Sequence, residues 1–380
     1  MNEVNFAFTG DVAIKRDDAA TIFRHVADIT RAADFTYCNL EGQLCVGANK
    51  NPAKSGSGIH LRSEPHAVQA LVSANINLVS LANNHTMDFC ADGLRESMTI
   101  LDEAGIAHSG AGANREQAHR ATIVEKNGLR IALLSYTSVF VPSYVAGEDS
   151  AGVAAVKINS HYIPNPRTFT NPGSPMYSKT SGEPADVAAL VDDVKRAREQ
   201  ADVVLVAWHW GVSERLGIIA EYQRSLAHAA IDAGAHAVVG NHAHMLLGIE
   251  FYKERPIFHA LGNFGFDKKH PYFRPESAIV RCKVSRDGLR DIQLVPLMID
   301  DHYEPRPVRT DEPAGQKIAW MLDYFSEGLN TRFTSKGDHI ELAPAAQDAV
   351  KFDAQDAQSL AKLGYSAAQI AELKAAGAVA

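Results

Sequence analysis

Apolar residues keep two rhythms over the first 265 or so positions. Short apolar or alternating runs at 4–9, 35–39, 76–81, 130–136, 203–208, 237–239 and 257–260 predict strands. Between them lie stretches with helical spacing. "SEPHAVQALVSA" predicts a helix capped by Ser63 with Pro65 in its first turn, and "DGLRESMTILDEAG" predicts one that stops at Gly105. "EPADVAALVDDVKRAREQA" and "AEYQRSLAHAAIDAG" follow the same rules. "VEKNGLRIAL" and "VSRDGLRDIQL" carry Asn-Gly and Asp-Gly between apolar runs, which predicts hairpins at sheet edges. Strands alternating with helices indicate a layered α/β or α+β domain, here assigned to residues 1–305.

Two stretches break the rhythm. Residues 159–184 hold five prolines and two glycines without a sustained period. A loop of that length in a compact domain is either functional or disordered, and its position before the 203–208 strand makes a substrate lid the expectation. Beyond Arg306 the pattern weakens, so 306–341 are expected to form a peripheral connector and 342–380 a helical tail. In that tail Ser366 and Gln369 form a capping box, Tyr365 and Ile370 a staple, and Gly377 a stop. The tail resembles that of some bacterial CoA-transferases, over too short a span to imply a function.

Composition narrows the class. The 380 residues are 46% hydrophobic and 22% charged, as in a globular protein, and 37 basic against 45 acidic residues give a net charge of −8. No Lys/Arg block marks a nucleic-acid or anionic-lipid surface. Cys38, Cys45, Cys90 and Cys282 form no CxxC pair and no disulfide framework, which fits a reducing compartment. No signal-peptide pattern opens the chain, and no run reaches the roughly 18 apolar residues of a membrane span. A cytoplasmic protein without a membrane span is expected, acting on a small molecule and able to form a homo-oligomer.

The chemistry lies in how the strands end. "FAFTGD" ends in Asp11, "FTYCNLEG" in Asn39 and Glu41, "VSLANNH" in Asn83, Asn84 and His85, "VLVAWHWG" in His209, "VVGNHAH" in His242 and His244, and "FHALGNF" in Asn263. Ligands collect outside the carboxyl ends of strands in layered α/β folds, so these residues are expected to share one site. In "GNHAH", alternate residues of an extended segment would bring two imidazoles to one side. Asp11, Glu41, Asn84, His209, His242 and His244 form a nitrogen and oxygen donor set without thiolate, suited to Mn, Fe or Zn. They exceed what one tetrahedral ion needs. Shared between two ions about 3.5–4 Å apart, with Glu41 as bridge, they would make a hydrolytic centre, leaving His85 to protonate a leaving group. Arg62, Arg215, Asn83 and Asn263 are the candidate substrate-binding residues. The remaining histidines, among them His25, His66, His108, His119, His228 and His236, are read as structural.

"FTGD", "NLEG", "SLANNHTMDF", "WHWG", "GNHAH" and "LGNFGFD" occur in an order and spacing that resemble the CapA family of poly-γ-glutamate capsule proteins, a branch of the calcineurin-like metallophosphoesterases. The likeness extends from about Val4 to Asp301. It implies a four-layer α/β sandwich with two metals. Asp11 and His244 would hold the first ion, Asn84, His209 and His242 the second, and Glu41 both, with His85 as the acid. The chain departs from the pattern in three places. Ala13 stands where metallophosphatases have the histidine of D-x-H, Cys90 where the family often has glycine, and Asn241 where a histidine is common. The expected activity is hydrolysis of an amide, γ-glutamyl or cyclic, or of a phosphoester. The alternative is a non-catalytic role in capsule assembly or export.

Overall fold

The computed structural model describes residues 3–47, 49–54, 58–213, 215–267 and 273–345. The fold is mixed α/β, with several sheets and flanking helices. Among these residues the largest sheet has ten strands. In its centre Phe35–Leu40 runs parallel to both Val4–Ala13 and Leu78–Ser80, while Glu276–Ser285 pairs antiparallel with Val4–Ala13 on the other side. The second sheet has six strands and a parallel centre in which Val203–His209 lies between Leu129–Thr137 and Ala237–Asn241.

Strand parity explains the core. Val4, Phe6 and Phe8 of the large sheet join Ile131, Leu133, Leu205, Ala207 and Val239 of the smaller one in one apolar cluster. The intervening positions face away from it. Ala7, Val12, Cys38 and Val79 pack with Leu71, Leu94 and Leu101 of helices Val68–Ser73 and Cys90–Glu103. Ala132, Leu134, Val204, Val206 and Val238 pack with Leu190 and Val194 of helix Pro184–Gln200 and Leu226 of helix Glu221–Asp232. Covering both faces is why these strands read as near-continuous apolar runs. Each fully buried large side chain contributes about 1.5–3 kcal/mol, so the centre of the fold is rigid enough to aim residues at its edge.

The turn chemistry is as expected at Asn127-Gly128, where both residues have positive φ, 55° and 71°, and close an edge hairpin. The second hairpin differs. Ser285 pairs with Gly288, so the loop is Arg286-Asp287, and the pair lies inside the large sheet because Ile340–Pro344 and Thr331–Ser335 extend it outward. Residues 306–344 therefore add strands, together with Ile318, Leu322, Ile340 and Leu342 of the central cluster. Ser63 caps no helix: its Oγ accepts the Ile14 N–H at 3.1 Å, and the turn Pro65–Ala67 starts after Glu64. Residues 159–184 are ordered as a hairpin of Ile158–Ile163 and Tyr177–Gly182. The tail motifs between Gly364 and Ala380 lie outside the described residues, and among those described no helix is long and apolar enough to cross a membrane.

Candidate metal centre

The parallel strands of both sheets deliver their carboxyl ends to one place. In register, Asp11 stands beside Asn39 and Asn263, Asn39 beside Ser80, and His209 beside Asn241. Tyr37 ties the two sheets together there, its hydroxyl donating to Asn241 Oδ1 at 3.0 Å. Asp11 does not end its strand, which runs on to Ala13; it sits at a register shift that turns its carboxylate into the site. Gly10 makes this possible, because a Cβ there would lie 1.9 Å from the Gly262 carbonyl oxygen.

Asn39 is the hub. Its Nδ2 donates to Asp11 Oδ1 at 2.8 Å and lies 3.2 Å from His209 Nδ1, while its Oδ1 accepts from Asn83 Nδ2 at 3.3 Å. Asn83 also donates to the Leu40 carbonyl at 2.9 Å and accepts the His85 N–H at 3.0 Å, so its amide is used in holding the Asn84-His85 turn. Asn263 Oδ1 lies 2.9 Å from His244 Nδ1, which makes that nitrogen the donor and leaves Nε2 for coordination, 3.9 Å from Glu41 Oε1.

His242 and His244 converge by a route other than strand alternation. The strand ends at Asn241, and both histidines have positive φ, 89° and 54°. Such backbone costs roughly 1–3 kcal/mol per residue and persists where surrounding structure enforces it. Part of that enforcement is the His242 N–H, which donates to Asp11 Oδ2 at 3.1 Å. Gly240 allows the approach, since a Cβ there would meet the His259 carbonyl oxygen at 2.1 Å.

Around His209 Nε2 lie Asn84 Oδ1 at 2.8 Å, His242 Nδ1 at 3.1 Å and Glu41 Oε1 at 3.4 Å. One ring proton cannot serve three acceptors. Glu41 is fully buried, and among the described residues none donates a hydrogen bond to either of its carboxylate oxygens. Burial, with the Asp11 charge second, drives its pKa well above the usual range, and burial pushes Asp11 up to about 7. Burial likewise holds His209 well below an ordinary imidazole and His244 at about 4. Lone pairs therefore converge on a space short of both protons and positive charge. Divalent cations fit that deficit, since they keep the carboxylates ionised and accept neutral imidazoles. Glu41, His242 and His244 place ligand atoms within 4.8 Å of one another. A second such group, His25, Asp300 and Glu304, is occupied differently: Arg16 and Arg24 donate to Glu304 at 3.1 and 2.9 Å.

Beside the ligands, His85 Nδ1 lies 2.6 Å from Asp88 Oδ2. Lys54 Nζ contacts Asp88 Oδ1 at 2.8 Å, His85 Nδ1 at 3.0 Å and the Asn84 carbonyl at 2.9 Å. Burial would raise the Asp88 carboxyl, but the His85 hydrogen bond and the Lys54 charge overcome it and keep the group ionised. Burial takes His85 down to about 4 against the pull of Asp88. Sequence reasoning left Asp88 and Asn39 without roles and passed over Lys54. Asp88 stood in "NNHTMD" at i+3 from His85, which was the available signal; nothing marked Lys54 among ordinary lysines.

Of the candidate substrate residues, Asn83 and Asn263 are buried and engaged as described, and Arg62 lines an adjoining cavity. Arg215 is exposed on the connection after the His209 strand, and no hydrogen bond or ion pair joins it to the site among the described residues. Ala13 is buried with Leu61 and Phe266, an apolar wall where a further histidine ligand would stand.

The strand-end residues all fall within one matched span. Residues 5–268 match the family described as bacterial capsule synthesis protein PGA_cap. Capsule biosynthesis protein CapA of Bacillus anthracis is 30% identical over 325 residues, covering 84% of this chain and 71% of its own length. PGA biosynthesis protein CapA of Bacillus subtilis (strain 168) is 30% identical over 314 residues, covering 80% and 74%. A probable polyglutamine synthesis accessory protein of Mycobacterium tuberculosis (strain ATCC 25618 / H37Rv) is 28% identical over 330 residues, covering 83% and 78%. With Asp11 through Asn263 inside the match, this chain belongs to the bacterial capsule synthesis PGA_cap family.

Proposed function

We propose that the protein is a metal-dependent hydrolase with a dinuclear centre in a calcineurin-like four-layer sandwich. The succession of clusters, helices against the large sheet, sheet against sheet, and helices against the smaller sheet, supports that architecture. Glu41 carries the functional reading: a wholly buried carboxylate without a hydrogen bond from the described residues, facing three imidazoles, is poised to bridge cations. Asp11, Glu41 and His244 would hold one ion and Glu41, Asn84, His209 and His242 the other, and Mn, Fe or Zn there would supply an acidified water and a positive charge for the developing oxyanion.

The chain's own part is proton movement. With its pKa at about 4, His85 rests neutral at pH 7. The proton it delivers to the leaving group is one it first takes at Nε2 from the attacking water. Asp88, on Nδ1, orients the ring and stabilises the transient imidazolium, while Lys54 fixes Asp88. The substrate is a small molecule or γ-glutamyl compound cleaved at an amide or phosphoester bond. A cytoplasmic setting is supported by four free thiols.

The test is elemental analysis after reconstitution with Mn, Fe or Zn. Close to two ions per chain are expected, falling together with turnover in Glu41→Gln; no bound transition metal would refute the assignment. A second reading, assembly of a polyglutamate capsule without catalysis, draws on the relatives' names. Membrane association in fractionated cells, without metal-dependent turnover, would favour it.

A further inference from the structure

A second cavity adjoins the centre. It measures about 430 Å³ and is lined by Lys15, Lys50, His60, Arg62, Glu64 and Phe89. Its walls are continuous with the residues that build the metal centre. Lys15 extends the Asp11 strand two residues past its end at Ala13. His60 and Arg62 flank Leu61, whose N–H donates to Asp88 Oδ2 at 2.8 Å. Lys50 adjoins Asn51, whose N–H donates to the Asp88 carbonyl at 2.8 Å, and Phe89 follows Asp88 directly. Ala13, Leu61 and Phe266 pack as a buried trio beside these segments, with Phe266 edge-on to His244 at 5.1 Å between ring centres.

The cavity is electropositive in a protein whose net charge is −8. Among the described residues that line it are three cationic side chains, Lys15, Lys50 and Arg62, and one carboxylate, Glu64. Arg62 is fixed in place: its guanidinium donates to the Val46 carbonyl at 2.7 Å, to Gly47 at 3.3 Å and to Glu64 Oε1 at 2.5 Å, and lies 5.8 Å from the Phe89 ring centre. A guanidinium has N–H donors beyond those three contacts, and holding it still beforehand lowers the entropy lost when an anion binds. A concave, positively charged recess also concentrates anions from solution.

We propose that this recess is an anion subsite, taking a carboxylate or phosphate group that the substrate carries away from the bond at the metal centre. The inference rests on the hydrolase reading and adds to it a substrate class: molecules with a second, remote negative charge. Binding here needs no metal, which separates the two ideas.

The experiment is calorimetric titration of the full chain, chelated and metal-loaded, with glutarate and with inorganic phosphate. The chelated wild type is expected to bind at least one probe. Lys50→Glu, which cancels the excess charge, should weaken that binding about tenfold or more with melting temperature and metal content unchanged, and Arg62→Gln should weaken it less. Preference for glutarate would mark a carboxylate-bearing substrate and preference for phosphate a phosphorylated one. Equal affinity in Lys50→Glu, no binding to the chelated protein, or binding only when metal is present would overturn the proposal. A protein that takes up no transition metal on reconstitution, yet still binds glutarate through Lys50, would refute the hydrolase reading and leave the subsite standing.

Discussion

Cys90 occupies a left-handed conformation, φ 61°, at the start of helix Cys90–Glu103. An L-residue pays roughly 1–2 kcal/mol there and glycine almost nothing, while glycine's extra unfolded-state entropy returns part of the gain. Cys90→Gly is therefore expected to stabilise the protein by about 0.5–1 kcal/mol, read as a rise in the thermal midpoint, and Cys90→Val to destabilise it. At the centre, His85→Ala should retain both metals and lose about 10²–10⁴ in turnover, because the ring moves protons and binds no ion in the proposed scheme. Loss of metal in that variant, by elemental analysis, would make His85 a ligand. His85 and the proposed ligands were visible in the sequence as polar groups ending apolar runs. Their partners were less so, since Asn39 acts through contacts to Asp11, His209 and Asn83, which span distant parts of the chain.

At the scale of elements, strands covered on both faces announce themselves as apolar runs, and their carboxyl ends could be located to within a few residues. What the pattern misjudged were elements whose order comes from tertiary contacts. The hairpin Ile158–Ile163 and Tyr177–Gly182 has mostly exposed residues and no amphipathic period; its base is held by the Thr180 N–H on Glu221 Oε2 at 3.1 Å and by Gly182 against Val187 and Leu226. His242 and His244 converge through two left-handed residues, a geometry that no spacing rule encodes. Beyond its base the hairpin exposes Tyr162, Phe169, Met176 and Tyr177, more apolar surface than an inert connection needs. If it closes over bound substrate, replacing residues 160–180 by a short Gly-Ser linker should raise KM several-fold with two metals still bound. Unchanged KM and kcat would reduce it to a surface feature.

At the scale of the whole molecule, the centre makes stability depend on metal and pH together. Without cations, burial raises Asp11 to about 7 and holds Glu41 well above the usual carboxylate range, both above their unfolded values near 4. A carboxyl with a raised folded-state pKa stabilises the fold below its unfolded pKa, and that contribution is lost as pH rises through the folded value. His244, at about 4, and the depressed His209 act oppositely: their contribution is present above about 6.5 and lost as pH falls below it. The two trends oppose each other between about pH 4 and 6.5, and only the carboxyl term remains above that window. The chelated protein should therefore lose stability as pH rises from 6.5 through about 7, with a slope of up to about 1.4 kcal/mol per pH unit for each carboxyl that ionises. Bound divalent ions reverse the sign, because they favour ionised carboxylates and neutral imidazoles and are bound more tightly as pH rises. Denaturant midpoints measured with and without chelator at pH 6.5 and 8 should accordingly diverge with pH. In the proposed scheme the Ala13, Leu61 and Phe266 wall would leave an ion on Asp11 and His244 with fewer protein ligands, so graded chelation should remove the metals in two steps rather than one. Parallel midpoints at the two pH values would mean that Asp11 and Glu41 are not the carboxylates that the cations neutralise.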